Sequence, residues 1–476
     1  MTSSMKISST SEPKRIHLIA ICGTGMASLA GLLREKGFIV TGSDANVYPP
    51  MSDQLAAMGI EVKMGYRADN VVSTSPDLVV VGNAISKNNE EVLAVQERNI
   101  PLLSMPQAIS RFFLESRFPI VVAGTHGKTT TSSLLAWILE RSGQSPGFFV
   151  GGILKNFDRS YQLGQGDYFV LEGDEYDTAF FDKGPKFLHY HPQMLILNAV
   201  EFDHADIYRN LEQVMESFEK LVAILPASGV IFADGDNANV RKLVAKAACR
   251  VVTFGLGSEN ELTATHIEFG ETVRFRCLRK GQEAGRFETP LAGRHNLKNL
   301  LGVLGVLLDL GIASDEINRA LAEFEGIKRR QEVLAVLNGV TLIDDFAHHP
   351  TAIKETLSAM RLKYGAKRIW AIFEPRSNTT RRNIFQKDFA AAFDDADQII
   401  FASPYQPEKI PEAERLHPEE VVTDLQKRGK KARYIPDVDL IVDLVAKESR
   451  PGDVLCFMSN GGFGGIYQKV VRALEG

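Results

Sequence analysis

The sequence predicts an α/β protein built from three domains with mainly parallel sheets. A length of 476 residues corresponds to roughly three domains at about 150 residues each. Short β-branched runs alternate with helical stretches from "RIHLIAI" to "GDVLCFMSNGG", a pattern typical of parallel α/β sheets. Two strand–loop–helix segments also carry glycine-rich loops, which favour sheets that bind ligands at their carboxyl edge.

Breaks in this pattern divide the chain. Residues 1–13 are rich in Ser and Thr without an apolar run, and we predict a flexible N-terminus there rather than a signal peptide. Breaks near "SRFPI" and "FEGIKRRQE" then predict an N-terminal domain over 14–118, a central domain over 119–328 and a C-terminal domain over 329–476. Within the central domain, "HNLKNLLGVLGVLLDLGI" predicts an amphipathic helix that ends at Gly311.

Composition excludes several classes of function. A net charge of −5 without a long basic run argues against nucleic-acid binding. No apolar stretch reaches about 18 residues, so no membrane insertion is predicted. Four widely spaced cysteines without a CxxC pair indicate reduced thiols and a cytoplasmic protein; they are Cys22, Cys249, Cys277 and Cys456.

The N-terminal domain is predicted to be Rossmann-like. "RIHLIAICGTGMASLAGLLREKGFIVTGSD" reads as strand, glycine loop, helix and strand, although Ser28 replaces the third glycine of a dinucleotide fingerprint. The motif indicates binding of a nucleotide diphosphate but does not distinguish NAD from a UDP-sugar. The candidate contact residues are Gly23, Gly25, Met26, Ser43 and Asp44.

The central domain carries "VVAGTHGKTTT", which predicts a parallel sheet of the P-loop ATPase type. Backbone N–H groups of such a loop and of the following helix point at phosphate, while its Lys lies along the terminal phosphates. The loop departs from the general pattern because Val122 fills the first glycine position, with Gly124 two residues later. The predicted nucleotide contacts are Gly124, Thr125, His126, Gly127, Lys128, Thr129 and Thr130.

Two polar clusters follow apolar strands of the same domain. "FVLEGDEYD" places Glu172, Asp174 and Glu175 near the end of one strand, and "LILNAVEFDHAD" places His204 beyond the next. Carboxylates at the carboxyl ends of parallel strands suit a divalent metal beside a nucleotide. Glu172 is the preferred metal ligand since it is nearest the strand end, although Glu175 remains an alternative.

Taken together, these motifs resemble the Mur ligase family from about residue 14 to the C-terminus. The resemblance rests on "GTHGKTT", the two acidic strand ends, "GRHNLKN", "RRQE" and "DDFAHHPT". It implies an ATP-dependent enzyme that forms an amide in peptidoglycan synthesis, with ATP and Mg²⁺ as cofactors. A phosphorylated carboxylate, the acyl phosphate, is the implied intermediate.

Further segments indicate the branch of the family that uses UDP-N-acetylmuramate. "TGSDANVYPPMS", "DEYDTAFFDK", "KFLHYHP", "EPRSNT" and "MSNGGFGGI" resemble members that attach L-alanyl-γ-D-glutamyl-meso-diaminopimelate, the murein tripeptide, during peptidoglycan recycling. The members that add L-alanine to the same sugar nucleotide remain the alternative. Both acceptors are small molecules, and they differ in size and in the number of carboxylates.

The resemblance also implies roles for individual residues. Lys128 and His204 are implied catalytic residues, and the implied metal ligands are Thr129, Glu172 and His204. The implied ATP contacts outside the loop are His295, Asn296, Asn299, Arg330 and Asp345, and the implied substrate contacts of the C-terminal domain are His348, Arg376 and Asn460.

Three points stay open at this stage. Phe346 stands where the L-alanine-adding members often have Tyr, so a contact through that hydroxyl would be lost. Lys220 is the one candidate for the carbamylated lysine of some members, and it is left out of the site. Two other classes compete: an NAD(P)-dependent oxidoreductase, supported by Gly23, Gly25 and Asp44, and a non-catalytic UDP-sugar sensor.

Overall fold

The computed structural model describes residues 13–47, 51–205 and 207–475. The predicted flexible N-terminus lies outside the described residues except for Pro13. Within the described part of the chain, no helix combines the length and apolar character that crossing a membrane requires.

A five-stranded parallel sheet forms the first domain. Its strands are β1 (Arg15–Ile19), β2 (Ile39–Asp44), β3 (Val62–Met64), β4 (Leu78–Val81) and β5 (Leu102–Ser104), and its helices are α1 (Thr24–Glu35), α2 (Met51–Ala57), α3 (Ala68–Thr74), α4 (Glu90–Glu97) and α5 (Met105–Ile109). The strand order is β3-β2-β1-β4-β5, with every pair parallel. The order reverses beside β1, which is the Rossmann-like switch point where ligands bind.

The second domain contains a ten-stranded sheet in the order β17-β16-β15-β14-β13-β12-β6-β9-β7-β8. Its strands are β6 (Phe118–Ala123), β7 (Gly147–Leu154), β8 (Arg159–Gln162), β9 (Tyr168–Gly173), β12 (Met194–Leu197), β13 (Val230–Asp234), β14 (Arg250–Gly255), β15 (Leu262–Phe269), β16 (Val273–Arg279) and β17 (Gln282–Thr289). A separate hairpin pairs β10 (Asp177–Ala179) with β11 (Asp182–Pro185), and a 3₁₀ turn over Lys186–His189 follows it.

Five helices accompany this sheet: α6 (Lys128–Arg141), α7 (Leu211–Ala223), α8 (Ala238–Val244), α9 (Arg294–Asp309) and α10 (Ser314–Ala322). The predicted amphipathic helix is α9, and Gly311 follows it at φ +76°. The expectation of a parallel sheet holds for the centre, whereas β8, β16 and β17 pair antiparallel at the two edges. Alternating, half-exposed strands such as β17 suit an edge, because only one of their faces is covered.

The third domain is a six-stranded sheet in the order β18-β19-β23-β20-β21-β22. Its strands are β18 (Glu332–Leu337), β19 (Val340–Asp345), β20 (Ile369–Phe373), β21 (Gln398–Phe401), β22 (Lys431–Tyr434) and β23 (Val454–Met458); its helices are α11 (Pro350–Tyr364), α12 (Phe389–Ala392), α13 (Pro418–Lys427), α14 (Val438–Glu448) and α15 (Ile466–Glu475). Only β18 runs antiparallel to its neighbour within this sheet.

The two domain boundaries differ in chemistry. One buried apolar cluster continues from the first sheet into the second, where the rings of Phe113 and Phe169 lie 6.3 Å apart. The third domain meets the second mainly through polar contacts, such as the 2.9 Å hydrogen bond from Thr351 to Glu201. The first two domains are therefore joined by packing and the third mainly by hydrogen bonds.

Candidate functional site

One cleft of about 1160 Å³ is lined by residues of all three domains. It lies at the carboxyl ends of β1, β6, β9, β12, β13 and β19, where loops leave the parallel parts of the sheets. The register of the central sheet pairs Val122 with Glu172 and Ala123 with Leu197, so the polar ends of three neighbouring strands open at one level. This is the position at which α/β sheets bind ligands.

The phosphate loop, residues 124–130, connects β6 to α6. Gly124 and Gly127 adopt φ of +128° and +80°, and a Cβ at Gly124 would come within 2.9 Å of Asn198. A Cβ at Gly127 would collide with the Asn299 side chain. Both positions therefore require glycine, and the backbone they shape brings the N–H groups at the start of α6 to the cleft.

Lys128 is the first residue of α6 and is buried. Its ammonium donates to the Gly124 carbonyl at 2.8 Å and to Glu175 Oε2 at 2.9 Å. Burial alone would lower the pKa of Lys128, but the carboxylates of Glu175, Asp174 and Glu172 outweigh burial and raise it above its ordinary value. Lys128 is therefore held charged at the mouth of the phosphate loop.

Two acidic residues at the carboxyl end of β9, Glu172 and Glu175, make different contacts. Glu172 accepts the Thr129 hydroxyl at 2.9 Å and the Gly151 N–H at 2.6 Å. Burial, followed by the charge of Asp174, raises the pKa of Glu172 above its ordinary value. Burial would raise the pKa of Glu175 too, but Lys128 and His204 together outweigh burial and lower that pKa. For Glu172, in contrast, burial and Asp174 outweigh the charge of Lys128.

His204 faces Glu175 rather than Glu172. Its Nε2 lies 3.3 Å from Glu175 Oε1, an ion-pair distance without hydrogen-bond alignment. Burial would lower the pKa of His204, but Glu175 and Asp203 outweigh it and raise the pKa. The predicted metal ligands Thr129 and Glu172 are therefore in contact with each other, while His204 lines the same cleft beside a different carboxylate.

The predicted adenine-side residues start α9. His295, Asn296 and Asn299 all line the cleft. Asn299 donates to Asn296 Oδ1 at 3.3 Å, and Asn198 donates to Asn299 Oδ1 at 3.4 Å. Asn198 also contacts the His126 carbonyl at 3.3 Å, so one amide links α9 to the phosphate loop.

The third domain contributes Arg330 and Asp345 to the cleft wall. Arg330 reaches Thr129 Oγ1 at 3.4 Å across the domain boundary and lies 4.9 Å from the ring centre of Phe346. Asp345 accepts the backbone N–H groups of Gln331 and Ala347 at 2.8 and 2.7 Å. Arg330 therefore reaches the predicted metal pair directly, whereas Asp345 orders the loop that carries the two histidines.

Both histidines of that loop line the cleft, but neither is poised as a strong base. Burial lowers the pKa of His348, and it lowers the pKa of His349 to about 4. Ligand atoms of His126, Glu201 and His349 lie within 4.8 Å of one another, the spacing of a metal site. However, His349 Nδ1 accepts the Thr351 N–H at 3.2 Å, which places the proton of the neutral ring on Nε2 and leaves no free lone pair for a metal.

On the acceptor side, Asn460 lines the cleft, and its buried Oδ1 has no hydrogen-bond partner among the described residues. The structure does not place Arg376 in the cleft lining. Its guanidinium stacks on Tyr405 at 3.6 Å from the ring centre and lies 3.6 Å from Glu374. Arg376 therefore supports the turn at Gly461, which it touches, and its direct contact with a ligand stays a prediction.

In the first domain, two of the five residues predicted to contact a ligand line the cleft. Gly23 and Gly25 line the cleft, whereas the Met26 side chain belongs to the apolar core. Ser43 is fully buried and donates to the buried Glu91. Asp44 accepts the N–H groups of Cys22 and Asn46, both at 2.9 Å, and so holds the glycine loop in place. Met26, Ser43 and Asp44 therefore lie outside the cleft lining, and their role as ligand contacts stays a prediction.

Several cleft residues are absent from the predicted set. Lys186 and Tyr176 line the cleft beside His204, and Glu201 and Asn198 line it beside the phosphate loop. Glu201 and Asn198 stood in a recognised polar cluster, so their position after β12 was a usable signal. Lys186 begins the segment "KFLHYHP", which was quoted for its resemblance, but a lysine after a Gly-Pro turn carries no pattern that indicates a role.

Comparison with known families covers most of the chain. The description "Mur ligase family, catalytic domain" matches residues 15–117, "Mur ligase middle domain" matches 122–307, and "Mur ligase, glutamate ligase domain" matches 329–461. These three matches fall on the three sheets described above.

Individual relatives agree with the family matches. The chain is 43% identical over 467 residues to the UDP-N-acetylmuramate–L-alanyl-γ-D-glutamyl-meso-2,6-diaminoheptandioate ligase of Escherichia coli, covering 97% of this chain and 98% of that protein. It is 33% identical to a UDP-N-acetylmuramate–L-alanine ligase of Caldanaerobacter subterraneus, covering 97% of each.

Among solved structures, a murein peptide ligase of Psychrobacter arcticus superposes with a TM-score of 0.71 at 34% identity. The match covers 97% of this chain and 98% of that one. Family matches and relatives of nearly full length lead to the same conclusion. The chain belongs to the Mur ligase family and is an ATP-dependent ligase.

Proposed function

We propose that this chain joins L-alanyl-γ-D-glutamyl-meso-diaminopimelate to the lactyl carboxylate of UDP-N-acetylmuramate, with ATP converted to ADP and phosphate. The observation that carries the proposal is the single cleft in which the phosphate loop, the first-domain glycines and Asn460 of the third domain meet. The choice of acceptor is supported by the relatives of Escherichia coli and Haemophilus influenzae, 43% and 39% identical, whose names specify this peptide.

The chemistry requires activation because a carboxylate lacks a good leaving group. A lactyl carboxylate oxygen attacks the γ-phosphorus of ATP, the bond to the β-phosphate oxygen breaks, and ADP leaves. The acceptor amine then attacks the carbonyl carbon of the acyl phosphate, and the tetrahedral intermediate expels phosphate. The nitrogen loses a proton as the amide forms, so atoms and charge balance.

The residues of the phosphate loop fit ATP by shape and charge. Gly124 and Gly127, at φ +128° and +80°, give the loop a backbone course in which its N–H groups can bind phosphate. Lys128 stabilises the negative charge that develops on the transferred phosphoryl group, exchanging part of its contact with Glu175 for phosphate oxygens. His295, Asn296 and Asn299 hold the adenine side, and Arg330 and Asp345 belong to the wall that the third domain adds.

Mg²⁺ fits the contact between Thr129 and Glu172. The hydroxyl and carboxylate oxygens, 2.9 Å apart, are the ligand types that Mg²⁺ prefers, and burial beside Asp174 disfavours a bare charge on Glu172. When bound, the ion would withdraw electron density from the phosphate oxygens. His204 would follow the family pattern as a further ligand, and Glu175, whose Oε1 lies 3.3 Å from His204 Nε2, would offer an oxygen beside it.

The remaining contacts distribute over the two outer domains. The UDP moiety is assigned to the loop that holds Gly23 and Gly25, and the peptide acceptor to the side of His348 and Asn460. The domain limits proposed for these roles are 14–118, 119–328 and 329–476. This division puts donor, nucleotide and acceptor on separate domains, so the third domain must close before reaction.

The test is mass spectrometry of the purified protein with ATP, Mg²⁺ and UDP-N-acetylmuramate. Parallel reactions contain the diaminopimelate tripeptide or L-alanine, and a reaction without ATP is the control. Amide product mainly with the tripeptide is expected. Product mainly with L-alanine would assign the chain to the alternative acceptor, and product with neither would contradict both acceptors.

A further inference from the structure

Lys186 is a second buried lysine of the cleft; it begins the segment "KFLHYHP", for which no residue role was predicted. It is 8% exposed and lines the same cleft as Lys128 and His204. Its ammonium lies 3.1 Å from Asp174 Oδ2 and 4.1 Å above the ring centre of Tyr176. A lysine is rarely buried unless it is paired, and here the pairing leaves it facing a substrate cleft.

The position of Lys186 is fixed by the hairpin β10–β11. Pro185 precedes it with φ −60° and starts the 3₁₀ turn. Asp182 of the hairpin accepts the Ser104 hydroxyl of the first domain at 2.8 Å and pairs with His189 at 2.9 Å. Lys186 therefore stands where the first domain, which carries the glycine loop, adjoins the wall of the phosphate site.

Electrostatics indicate what this lysine could do. Glu172 and Asp174 line the cleft, and Glu175 lies buried nearby, so this acidic wall opposes the approach of an anionic substrate group to the phosphate loop. Lys128 is already bound by the Gly124 carbonyl and Glu175. A carboxylate that must come close to ATP in this place needs a further positive charge, since like charges otherwise oppose its approach.

The other lysines and arginines that line the cleft also have partners, and Arg330 donates to Thr129 Oγ1 at 3.4 Å from the third-domain side. Lys298 pairs with Asp234 at 2.9 Å, and Lys328 pairs with Asp158 at 2.7 Å. Arg329 donates to the carbonyls of Ser459 and Gly461 within the third domain. Lys186 instead makes one hydrogen bond among the described residues, to Asp174, and an ammonium has three N–H donors.

We propose that Lys186 is a positioning residue that binds the reacting carboxylate of the UDP-linked substrate and holds it beside the phosphate loop. This inference rests on the proposed function, because it assumes a sugar nucleotide with a carboxylate. The Tyr176 ring and Asp174 keep the ammonium in place, and its remaining donors bind the carboxylate. Lys186 thereby distinguishes a carboxylate-bearing UDP-sugar from one without a carboxylate.

Calorimetric titration of the full chain with two ligands tests this role. UDP-N-acetylmuramate carries the lactyl carboxylate, and UDP-N-acetylglucosamine lacks it. In Lys186→Met, affinity for the first ligand should fall by about tenfold to a hundredfold, as expected for loss of a hydrogen bond to a charged group, while affinity for the second stays unchanged. Lys186→Arg should recover part of the loss.

The matched control is Lys183→Met on the same hairpin, since Lys183 has a side chain 66% exposed and forms a surface ion pair with Asp177. Its two affinities should equal those of the wild type. Kinetics with the tripeptide should show a raised KM for UDP-N-acetylmuramate in Lys186→Met and an unchanged KM for the acceptor. Circular dichroism melts report folding, and Lys186→Gln replaces the Met variant if that variant is unfolded.

Three results would overturn the inference. Equal losses for both UDP-sugars would make Lys186 structural, and no loss for either would remove it from binding. Loss of affinity for a non-hydrolysable ATP analogue alone would assign it to the nucleotide. Product formation by the wild type separates these failures from failure of the proposed function, because a wild type that neither binds UDP-N-acetylmuramate nor forms product contradicts both.

Discussion

Two loops of this molecule share a strand–loop–helix plan but differ in what surrounds them. The first glycine loop, residues 20–25, connects β1 to α1, and the phosphate loop connects β6 to α6. Gly23 precedes α1 with an ordinary φ of −64°, whereas Gly127 precedes α6 at φ +80°. The first turn of α1 has no charged residue, while α6 begins with Lys128 opposite three carboxylates.

The difference between the two loops indicates that the first binds substrate and the second also takes part in the reaction. Both loops offer backbone N–H groups at a helix N-terminus, which suffices to bind a phosphate. Only the phosphate loop adds a buried ammonium, a hydroxyl–carboxylate contact and close packing against Asn299. Charge fixed in advance around a reacting group is what lowers a barrier, so the second loop is expected to control turnover and the first to control affinity.

The largest effect is expected from Lys128→Met, which tests whether the phosphate loop controls turnover. We expect kcat to fall by about a thousandfold or more, since a cation on the transferred phosphoryl group is lost. Affinity for UDP-N-acetylmuramate, measured by calorimetry, should change little. The control is Lys242→Met, an exposed lysine of α8, and retained turnover in Lys128→Met would contradict the assigned role.

Alanine substitutions test the backbone difference between the loops. Gly127→Ala introduces a Cβ at φ +80° against Asn299, and nucleotide affinity should fall by about tenfold or more, with about 1–2 kcal/mol of strain. Gly23→Ala, where the nearest atom would be 3.5 Å away at Ala20, should be tolerated. Gly143→Ala, at φ +75° with open space, isolates strain from collision. Equal nucleotide binding in all three variants would refute the comparison.

Acid should weaken the phosphate-loop side of the molecule through His349, whose ring lies 4.9 Å from that of His126. Burial lowers its pKa to about 4, below the ordinary 6.5, so the unfolded chain binds the proton more readily. This contribution to stability is complete above about pH 6.5 and is lost as pH falls toward 4, by about 3 kcal/mol.

His349→Asn keeps a side chain that can cap α11 but removes the titration. Urea unfolding of this variant should show a smaller loss of stability between pH 6.5 and 4 than the wild type shows. The exposed His191→Asn serves as the control. An unchanged acid dependence in His349→Asn would rule out His349 as the source.

The smallest effect is expected behind the first glycine loop. Ser43→Ala removes a hydrogen bond to the buried Glu91, so the free energy of unfolding should fall by about 1–3 kcal/mol. The KM for UDP-N-acetylmuramate should stay the same, because Ser43 does not line the cleft. Exposed Ser73→Ala is the matched control, and a raised KM in Ser43→Ala would restore Ser43 as a ligand contact.

A feature could be predicted from the sequence where its geometry is set by residues close together in the chain. The phosphate loop was predictable because Gly127, Lys128 and Thr129 carry their geometry in consecutive positions. The fold class and α9 followed from periodicity in the same way. Ser43 and Arg376 were predicted from motifs alone. Ser43 is buried against Glu91 and Arg376 stacks on Tyr405, and both contacts depend on segments that are distant in the sequence.

Lys186 illustrates the converse case. Its contacts with Asp174 and Tyr176 are near in sequence, but its place in the cleft results from the hairpin tied to Ser104, 82 residues before it. The antiparallel edge strands of the central sheet were likewise not predicted, because the residues of a strand do not show which strands will pair with it.

The polar boundary of the third domain has a consequence for the working cycle. The first two domains share one apolar cluster, whereas Thr351 and Glu201 join the third through a hydrogen bond that water can replace. Among the described residues, Ala292 is the one buried apolar residue of the second domain that joins the apolar cluster of the third. We therefore expect detachment of the third domain to expose little apolar surface, with a small heat-capacity change and a weak response to temperature. Opening of the third domain should instead depend on hydration of the polar groups at its boundary. We therefore expect turnover to respond to osmolytes, which are excluded from the protein surface, and to viscogens.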